Sequence, residues 1–355
     1  MAMFIRNAWY VAADETELTD KPLGRTILGE RVAIYRQNNG ELAALEDACA
    51  HRRGQLSAGK VTDRGLQCPY HGFTYEPGGK CVLAPGESRI PQLALVRSYP
   101  VARKYGMVWI WMGEPALCAS TPLPTCLEPY FTDEWVHARG YHHVSGYYEL
   151  LADNLLDLSH ADFVHDGILG NEQRGLTGKS TTRTNVEGNT VVMSRWDYSD
   201  TPPPFVIPML GDVDKVDWWR IMKWEPPGPM LLDVGACRAS TSPESGRRLI
   251  NPNFLTPETE SSTHYFWTVG RSFELADPKW TEHLYTQTRR AFDQDKAVIE
   301  GQQRVIGSLD LRDMRLAGTR NDLPANRARQ IVQRIWRTER SECSAHGGRA
   351  AEPDV

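Results

Sequence analysis

Cys49-Ala50-His51-Arg52 and, after a gap of sixteen residues between His51 and Cys68, Cys68-Pro69-Tyr70-His71-Gly72 are the stretch on which the reading of this chain turns. Each half offers one thiolate and one imidazole, at a C-x-H and a C-x-x-H spacing. Two sulfurs and two ring nitrogens make a metal-binding set. Structural zinc is one reading, but its common spacings pair C-x2-4-C with H-x3-5-H, and a mixed C-x-H is unusual there. The other is a [2Fe–2S] cluster whose cysteine pair holds one iron and whose histidine pair holds the other. Neutral imidazole in place of thiolate makes such a cluster less negative. Its potential then lies at roughly −150 to +300 mV, against about −400 mV for an all-cysteine plant-type cluster. A chain with that centre accepts and passes single electrons.

The residues around the two motifs favour the cluster. Arg52 follows His51 and Gly72-Phe73 follow His71, so the whole resembles the Rieske consensus C-x-H-R…C-x-x-H-G. Short β-branched or aromatic runs flank it: Arg25-Thr-Ile-Leu, Arg31-Val-Ala-Ile-Tyr-Arg and Gly106-Met-Val-Trp-Ile-Trp-Met, with Asn38-Asn39-Gly40 as a turn. Residues 1–115 therefore read as an all-β domain with both motifs in loops. Residues 116–129, rich in Pro, Ala and Ser, read as a linker. Residues 130–340 mix strands, such as Asn189–Trp196 and His264–Phe273, with at least three helices. Residues 341–355 read as a disordered tail. The fold class is α+β.

The bulk numbers bound the rest. A chain of 355 residues has room for two domains, and its 41% hydrophobic and 24% charged residues are ordinary for a globular protein. A net charge of −5 suggests no nucleic-acid partner. Of the seven cysteines two are claimed by the motifs, and the others are scattered without a disulfide framework, which fits a reducing cytoplasm. No signal peptide and no run of membrane-spanning length is expected.

A second metal motif lies in the second domain: Asp153-Asn154-Leu155-Leu156-Asp157-Leu158-Ser159-His160-Ala161-Asp162-Phe163-Val164-His165. On an ideal helix His160 and His165 stand about 140° apart, so both reach one metal only if the helix distorts or ends between them. A solvated helix face is the plain alternative, and the flanking Leu150, Leu151, Leu155, Leu158, Phe163 and Val164 argue against full exposure. The third ligand should be a carboxylate. Asp277-Pro278 starts a helix to about Arg304, with Asp as N-cap and Pro at its first position. Its apolar stripe holds Trp280, Leu284, Ala291, Val298 and Ile299, and Asp295 falls about 20° from Leu284 in that stripe, while Asp293 falls on the solvent side. A carboxylate centred on an inward stripe needs a cation. His160, His165 and Asp295 thus form the 2-His-1-carboxylate set of non-haem Fe(II) oxygenases.

Nearly the whole chain resembles the oxygenase component of Rieske non-haem iron aromatic oxygenases, in the branch of vanillate O-demethylase, toluenesulfonate methyl-monooxygenase and dicamba O-demethylase. Further residues carrying the resemblance are Arg6-Asn7-Ala8-Trp9-Tyr10-Val11-Ala12, Lys21-Pro22-Leu23-Gly24-Arg25, Leu255-Thr256-Pro257-Glu258-Thr259-Glu260 and Asp293-Gln294-Asp295. The resemblance implies a helix-grip (START-like) catalytic domain with an antiparallel sheet. It implies a [2Fe–2S] Rieske cluster on Cys49, His51, Cys68 and His71, and mononuclear Fe(II). NADH electrons would arrive through a separate flavin and iron–sulfur reductase, which Arg52, Arg53, Lys60 and Arg64 could steer unless they are simply a solvated loop. O2 is the co-substrate, and one oxygen atom enters a C–H bond of a small, acidic aromatic compound. Where that bond belongs to a methoxy group, the hemiacetal collapses to a phenol and formaldehyde.

The resemblance also implies a homotrimer in which Asp157 links the cluster histidine His71 of one chain to His160 or His165 of the next. Asn154 is implied to sit beside the iron. In alignment with the dicamba-converting branch, Asp233 and Asn253 fall at substrate-binding positions, and Asp233 suits a phenol hydroxyl donor better than a carboxylate. Trp218, Trp219, Trp224 and Trp267 read as core. Two alternatives stand beside O-demethylation: methyl hydroxylation or ring dihydroxylation of an aromatic acid, and an electron carrier whose ligand-binding domain holds no second iron.

Overall fold

The structure is a computed structural model and describes residues 3–165, 167–170, 176, 179–308 and 310–346. The chain divides into two compact units. One is Arg6–Leu123 with Thr256–Glu260; the other is Met1–Ile5, Pro124–Leu255 and Ser261–Val355.

The first unit is built from eleven short strands. They are β1 (Trp9–Asp14), β2 (Leu23–Ile27), β3 (Glu30–Arg36), β4 (Leu42–Glu46), β5 (Lys60–Thr62), β6 (Gly65–Gln67), β7 (Thr74–Tyr75), β8 (Cys81–Leu83), β9 (Ser98–Tyr99), β10 (Val101–Lys104) and β11 (Met107–Trp111). These form three antiparallel sheets, ordered β1-β11-β10, β2-β3-β4-β9 and β5-β6-β7-β8. The apolar runs picked out from the sequence are β2, β3 and β11. Their buried side chains and Leu56, Leu66, Phe73 and Tyr75 make the core. Cys49 lies in the loop after β4, and Cys68 lies in the loop between β6 and β7. The segment after β11 is not bare linker: α1 (Pro115–Cys118) is a short helix with proline at its start.

The second unit centres on one sheet of seven antiparallel strands: β12 (Val136–Val144), β13 (Thr181–Glu187), β14 (Thr190–Asp200), β15 (Val216–Trp224), β16 (Met230–Arg238), β17 (Arg247–Thr259) and β18 (Ser262–Arg271), in the order β12-β18-β17-β16-β15-β14-β13. Its helices are α2 (Tyr148–Leu156), α3 (Ala161–Val164), α4 (Ile207–Leu210), α5 (Pro278–Ile306) and α6 (Leu323–His346). The long helix α5 packs on β12 and β18, so this unit is a long helix held against an antiparallel sheet. Asp277 caps α5, accepting from Lys279 N, and Pro278 starts it. Its buried stripe is Leu284, Ala291, Phe292, Asp295, Ile299 and Ile306; Val298, placed in that stripe by sequence, is half exposed.

Two boundaries are corrected. Residues 1–5 group with the second unit, where Met3 N donates to Tyr147 Oη. And α6 carries on through Ser341–His346, inside the expected tail, because no proline or glycine interrupts the chain before Gly347. The remainder of that tail lies outside the described residues.

Candidate iron centres and the family of the chain

In the first unit Cys49 and Cys68 are buried, whereas His51 and His71 are exposed at the loop tips. The two imidazole rings lie 4.6 Å apart, centroid to centroid, and His51 stacks on Phe73 at 4.9 Å. Backbone bonds close each loop: Cys49 N to Gly54 O and Arg53 N to Cys49 O, then Cys68 N to Phe73 O and Gly72 N to Cys68 O. Gly72 takes φ +74, and a Cβ there would meet Pro85 at 3.0 Å, so the tight return after His71 requires glycine. Burial, and then the neighbouring Cys49 thiol, push the Cys68 thiol up. A buried thiol that resists ionising, next to a second buried cysteine, fits a site that a cation completes.

Tyr75 was not singled out from the sequence. Its hydroxyl lies 3.1 Å from Cys49 Sγ and accepts from Ala50 N at 3.1 Å. A cysteine that ligates a cluster is a thiolate with no proton to give, so with Cys49 in that state the hydroxyl is the donor. Burial, reinforced by Cys49, raises the phenol well above its ordinary value, so it stays a donor.

In the second unit α2 ends at Leu156 and Asp157 turns out of the helix at φ −105°, ψ 86°. His160 then opens the single turn α3 and His165 closes it at φ −107°, ψ 30°. Helix α2 thus ends before both histidines, a single turn separates them, and His165 leaves helical geometry, so the 140° arc of an ideal helix does not apply. Both imidazoles now face Asp295 on α5. His160 Nε2 lies 3.4 Å and His165 Nε2 3.3 Å from Asp295 Oδ1. The three donor atoms all fall within 4.8 Å of one another. Asp295 is 4% exposed and Asp293 is out in solvent, as the helical phase anticipates.

Each ring is held from behind. His160 Nδ1 donates to the Asp157 backbone oxygen, and His165 Nδ1 meets Gln294 Oε1 at 3.0 Å. Nδ1–H donation leaves the Nε2 lone pairs pointing inward, the arrangement a metal needs. Asn154 Nδ2 donates to Asp295 Oδ1 at 3.1 Å, beside the triad as expected. Burial opposes a charged Asp295, but hydrogen bonds and attraction from His160 and His165 outweigh it and hold the carboxyl well below the usual range. Burial likewise lowers His160, and Asp295 then raises it past its ordinary value. A buried carboxylate that faces the Nε2 atoms of two imidazoles is balanced by a divalent cation among the three. The donor set therefore fits iron.

The expected contact of Asp157 is corrected in part. Its carbonyl, not its carboxylate, orients His160, because the chain turns there. The carboxylate accepts from Ser159 N at 2.9 Å and Ser159 Oγ at 2.6 Å, both through Oδ1. Gln294 was quoted from the sequence only as part of Asp293-Gln294-Asp295, with no role assigned to it.

The sheet puts the two expected substrate positions, Asp233 and Asn253, on opposite faces. Antiparallel partners share a face, and the register Asp233↔Ile250 and Leu232↔Asn251 sets Asp233 opposite to Asn251 and Asn253. Tyr265, which packs on Phe292 of α5, joins the Asn253 face through Oη to Asn253 Oδ1 at 2.6 Å. Asp233 therefore points away from α5, where Arg248 Nε grips both its oxygens at 2.9 and 3.0 Å and Trp219 Nε1 donates at 3.2 Å. Asn253 is on the right face but fully buried, with its amide spent on Asn251 O, Met230 O and Tyr265. Trp218, Trp219, Trp224 and Trp267 are core, as read.

Comparison with known proteins agrees with both centres. Residues 8–100 match the Rieske [2Fe-2S] domain, and residues 144–338 match the vanillate O-demethylase oxygenase C-terminal domain. The chain belongs to the vanillate O-demethylase family of Rieske oxygenases. It is 34% identical to the vanillate O-demethylase oxygenase subunit of a Pseudomonas species, over 97% of this chain and 98% of that one. It is 35% identical to the dicamba O-demethylase oxygenase component of Stenotrophomonas maltophilia, over 95% and 99%. An iron-sulfur subunit of the toluene-4-sulfonate monooxygenase system of Comamonas testosteroni is 33% identical over 95% and 98%. Among solved structures, dicamba monooxygenase bound to 3,6-dichlorosalicylic acid superposes with a TM-score of 0.88, at 34% identity over 96% of this chain and 99% of that one. This Rieske oxygenase is thus a terminal oxygenase component that carries a [2Fe–2S] cluster and mononuclear non-haem iron and uses O2 with electrons from a reductase.

Proposed function

We propose that this oxygenase removes the methyl group of a small, acidic methoxy-aromatic compound such as vanillate. The observation that carries the reading is the convergence of His160, His165 and Asp295 in a chain collinear with vanillate and dicamba O-demethylase components. Cys49, His51, Cys68 and His71 would hold the cluster; His160, His165 and Asp295 would hold the iron. Bound there, the cluster supplies single electrons and the iron activates O2 toward a C–H bond. The reaction balances as Ar–O–CH3 + O2 + 2e⁻ + 2H⁺ → Ar–OH + HCHO + H2O, with NADH as the reductant through the reductase.

The chain's own residues do four things in this scheme. Asp157 O and Gln294 Oε1 fix the tautomers of His160 and His165. Asn154 holds one oxygen of Asp295, fixing the carboxylate plane. Tyr265, which feels the charge of Asp295, packs on Phe292 of α5 and buries this side of the centre from water. Tyr75 stabilises charge on the Cys49 sulfur. The reading includes a cyclic homotrimer in which the exposed His71 of one chain passes electrons through Asp157 of the next. A cytoplasmic location is supported by Cys81, Cys118 and Cys237, which stand as thiols.

The test is a screen of methoxybenzoates with the purified oxygenase and a reductase, following formaldehyde and O2 together. Stoichiometric formaldehyde is the expected result. A benzylic alcohol from a methylbenzoate or sulfonate with no formaldehyde from any methoxy acid would replace this reading by methyl hydroxylation, the activity nearest the toluene-4-sulfonate relative.

A further inference from the structure

Arg195 is a buried cation outside the ligand set that contacts the chain on both sides of His160. It lies on β14, on the sheet face that carries the helices, and is 4% exposed. One arm of its guanidinium, Nη1, donates to Leu158 O at 2.7 Å. The other, Nη2, pairs with the carboxylate of Asp162, itself 1% exposed. Leu158 and Asp162 stand two residues to either side of His160. The fork therefore straddles the ligand.

The segment needs such a brace. Between Asp157, where α2 ends, and His165 the chain forms only the single turn α3. An isolated turn fixes several dihedrals for one hydrogen bond and does not hold itself. Charge explains why it docks on the sheet. Arg195 stands directly opposite Arg220 of β15, and like charges at paired positions repel. Arg220 is answered from within the sheet by Asp197. Arg195 is answered by Asp162, which comes from the histidine turn. The charge balance of the sheet is completed only when that turn sits down.

We propose that Arg195 is a positioning residue for the mononuclear iron: its two-armed contact with Leu158 O and Asp162 sets His160 where Asp295 can share a metal with it. The proposal rests on the reading that His160, His165 and Asp295 hold the iron. It depends on the fork and not on charge alone. Lysine keeps the charge but cannot present two fixed parallel donors.

The experiment uses the full-length protein with its Rieske cluster in place. Chelator-treated wild type, Arg195→Lys, Asp162→Asn and His160→Ala are titrated with Fe(II), and the nitrosyl EPR signal of the mononuclear iron reports occupancy and symmetry. Rieske absorbance and thermal melting report folding. Arg195→Lys is expected to keep the Rieske spectrum, melt within a few degrees of wild type, and need about 10- to 100-fold more Fe(II), with a shifted nitrosyl signal, as losses behind a metal ligand usually do. Wild-type Fe(II) affinity and an unchanged signal in folded Arg195→Lys overturn the proposal. If Arg195→Lys does not fold, the isosteric Asp162→Asn is judged by the same two readouts. Failure of both to fold marks the pair as a general bridge of the fold and also overturns it. Absence of a His160-dependent nitrosyl signal in wild type instead refutes the iron reading itself, and the clamp with it.

Discussion

Asp293 and Asp295 are two residues apart on α5 and meet opposite surroundings. Asp295 is buried against two imidazoles, whereas Asp293 is 58% exposed and lies at the Nε2 side of His142, whose Nδ1 is taken by the Trp267 indole. Asp295→Ala should leave the Rieske EPR spectrum intact while abolishing mononuclear iron and O2 uptake. Asp293→Ala should keep both and lose under about 1 kcal/mol of stability, the usual worth of an exposed pair. The reverse pattern would move the ligand to Asp293. Tyr75 allows a second test at this scale. Its hydroxyl donates to a cluster sulfur position, and such a bond favours the more negative, reduced state. Tyr75→Phe should lower the Rieske potential by roughly 40–60 mV, the one-electron equivalent of a hydrogen bond of about 1–1.5 kcal/mol. Protein-film voltammetry measures it, and an unchanged potential would remove Tyr75 from the cluster's surroundings.

Elements explain which parts of this design were legible. Asp295 could be found because its position on α5 obeys a period that eleven residues of helix preserve, and the capping pair Asp277-Pro278 fixed the phase. The two cysteine–histidine motifs were legible because their spacing is itself the chemistry. The face that Asp233 takes was not legible, because strands alternate sides and one residue of register carries a side chain through the sheet. Gln294 and Tyr75 were not legible, since each acts through a neighbour 129 or 26 residues away in sequence. On α2 the sequence also hid a titration. Burial, outweighing Arg329, pushes the Asp153 carboxyl up to about 7. Between the ordinary carboxylate value near pH 4 and pH 7 the folded state then holds a proton that the unfolded chain has released. Stability should therefore fall as pH rises through that window. Asp153→Asn should flatten this part of a melting-temperature profile; a mutant profile parallel to wild type from pH 4.5 to 7.5 would show that Asp153 titrates normally.

At the scale of the whole molecule the two centres must exchange electrons, and the first places its histidines at an exposed tip: His51 and His71 are open to solvent while the cysteines are buried. The second centre has Asp157 beside it, with one carboxylate oxygen committed to Ser159 and partly exposed. If the tip of one chain meets the Asp157 surface of the next, the contact is head to tail, and such a contact avoids filaments only by closing into a ring. The proposed ring has three members. Co-expression of an inactive His71→Ala chain with an inactive His160→Ala chain tests it. In randomly mixed rings an interface works when the cluster donor is the His160 variant and the acceptor is the His71 variant. Each condition holds about half the time, so roughly a quarter of wild-type activity should return. Electron transfer within one chain predicts none, because every chain then carries one broken centre. Mixed rings, verified by two affinity tags, that stay inactive would therefore assign the transfer to a single chain and take from Asp157 its role as the bridge.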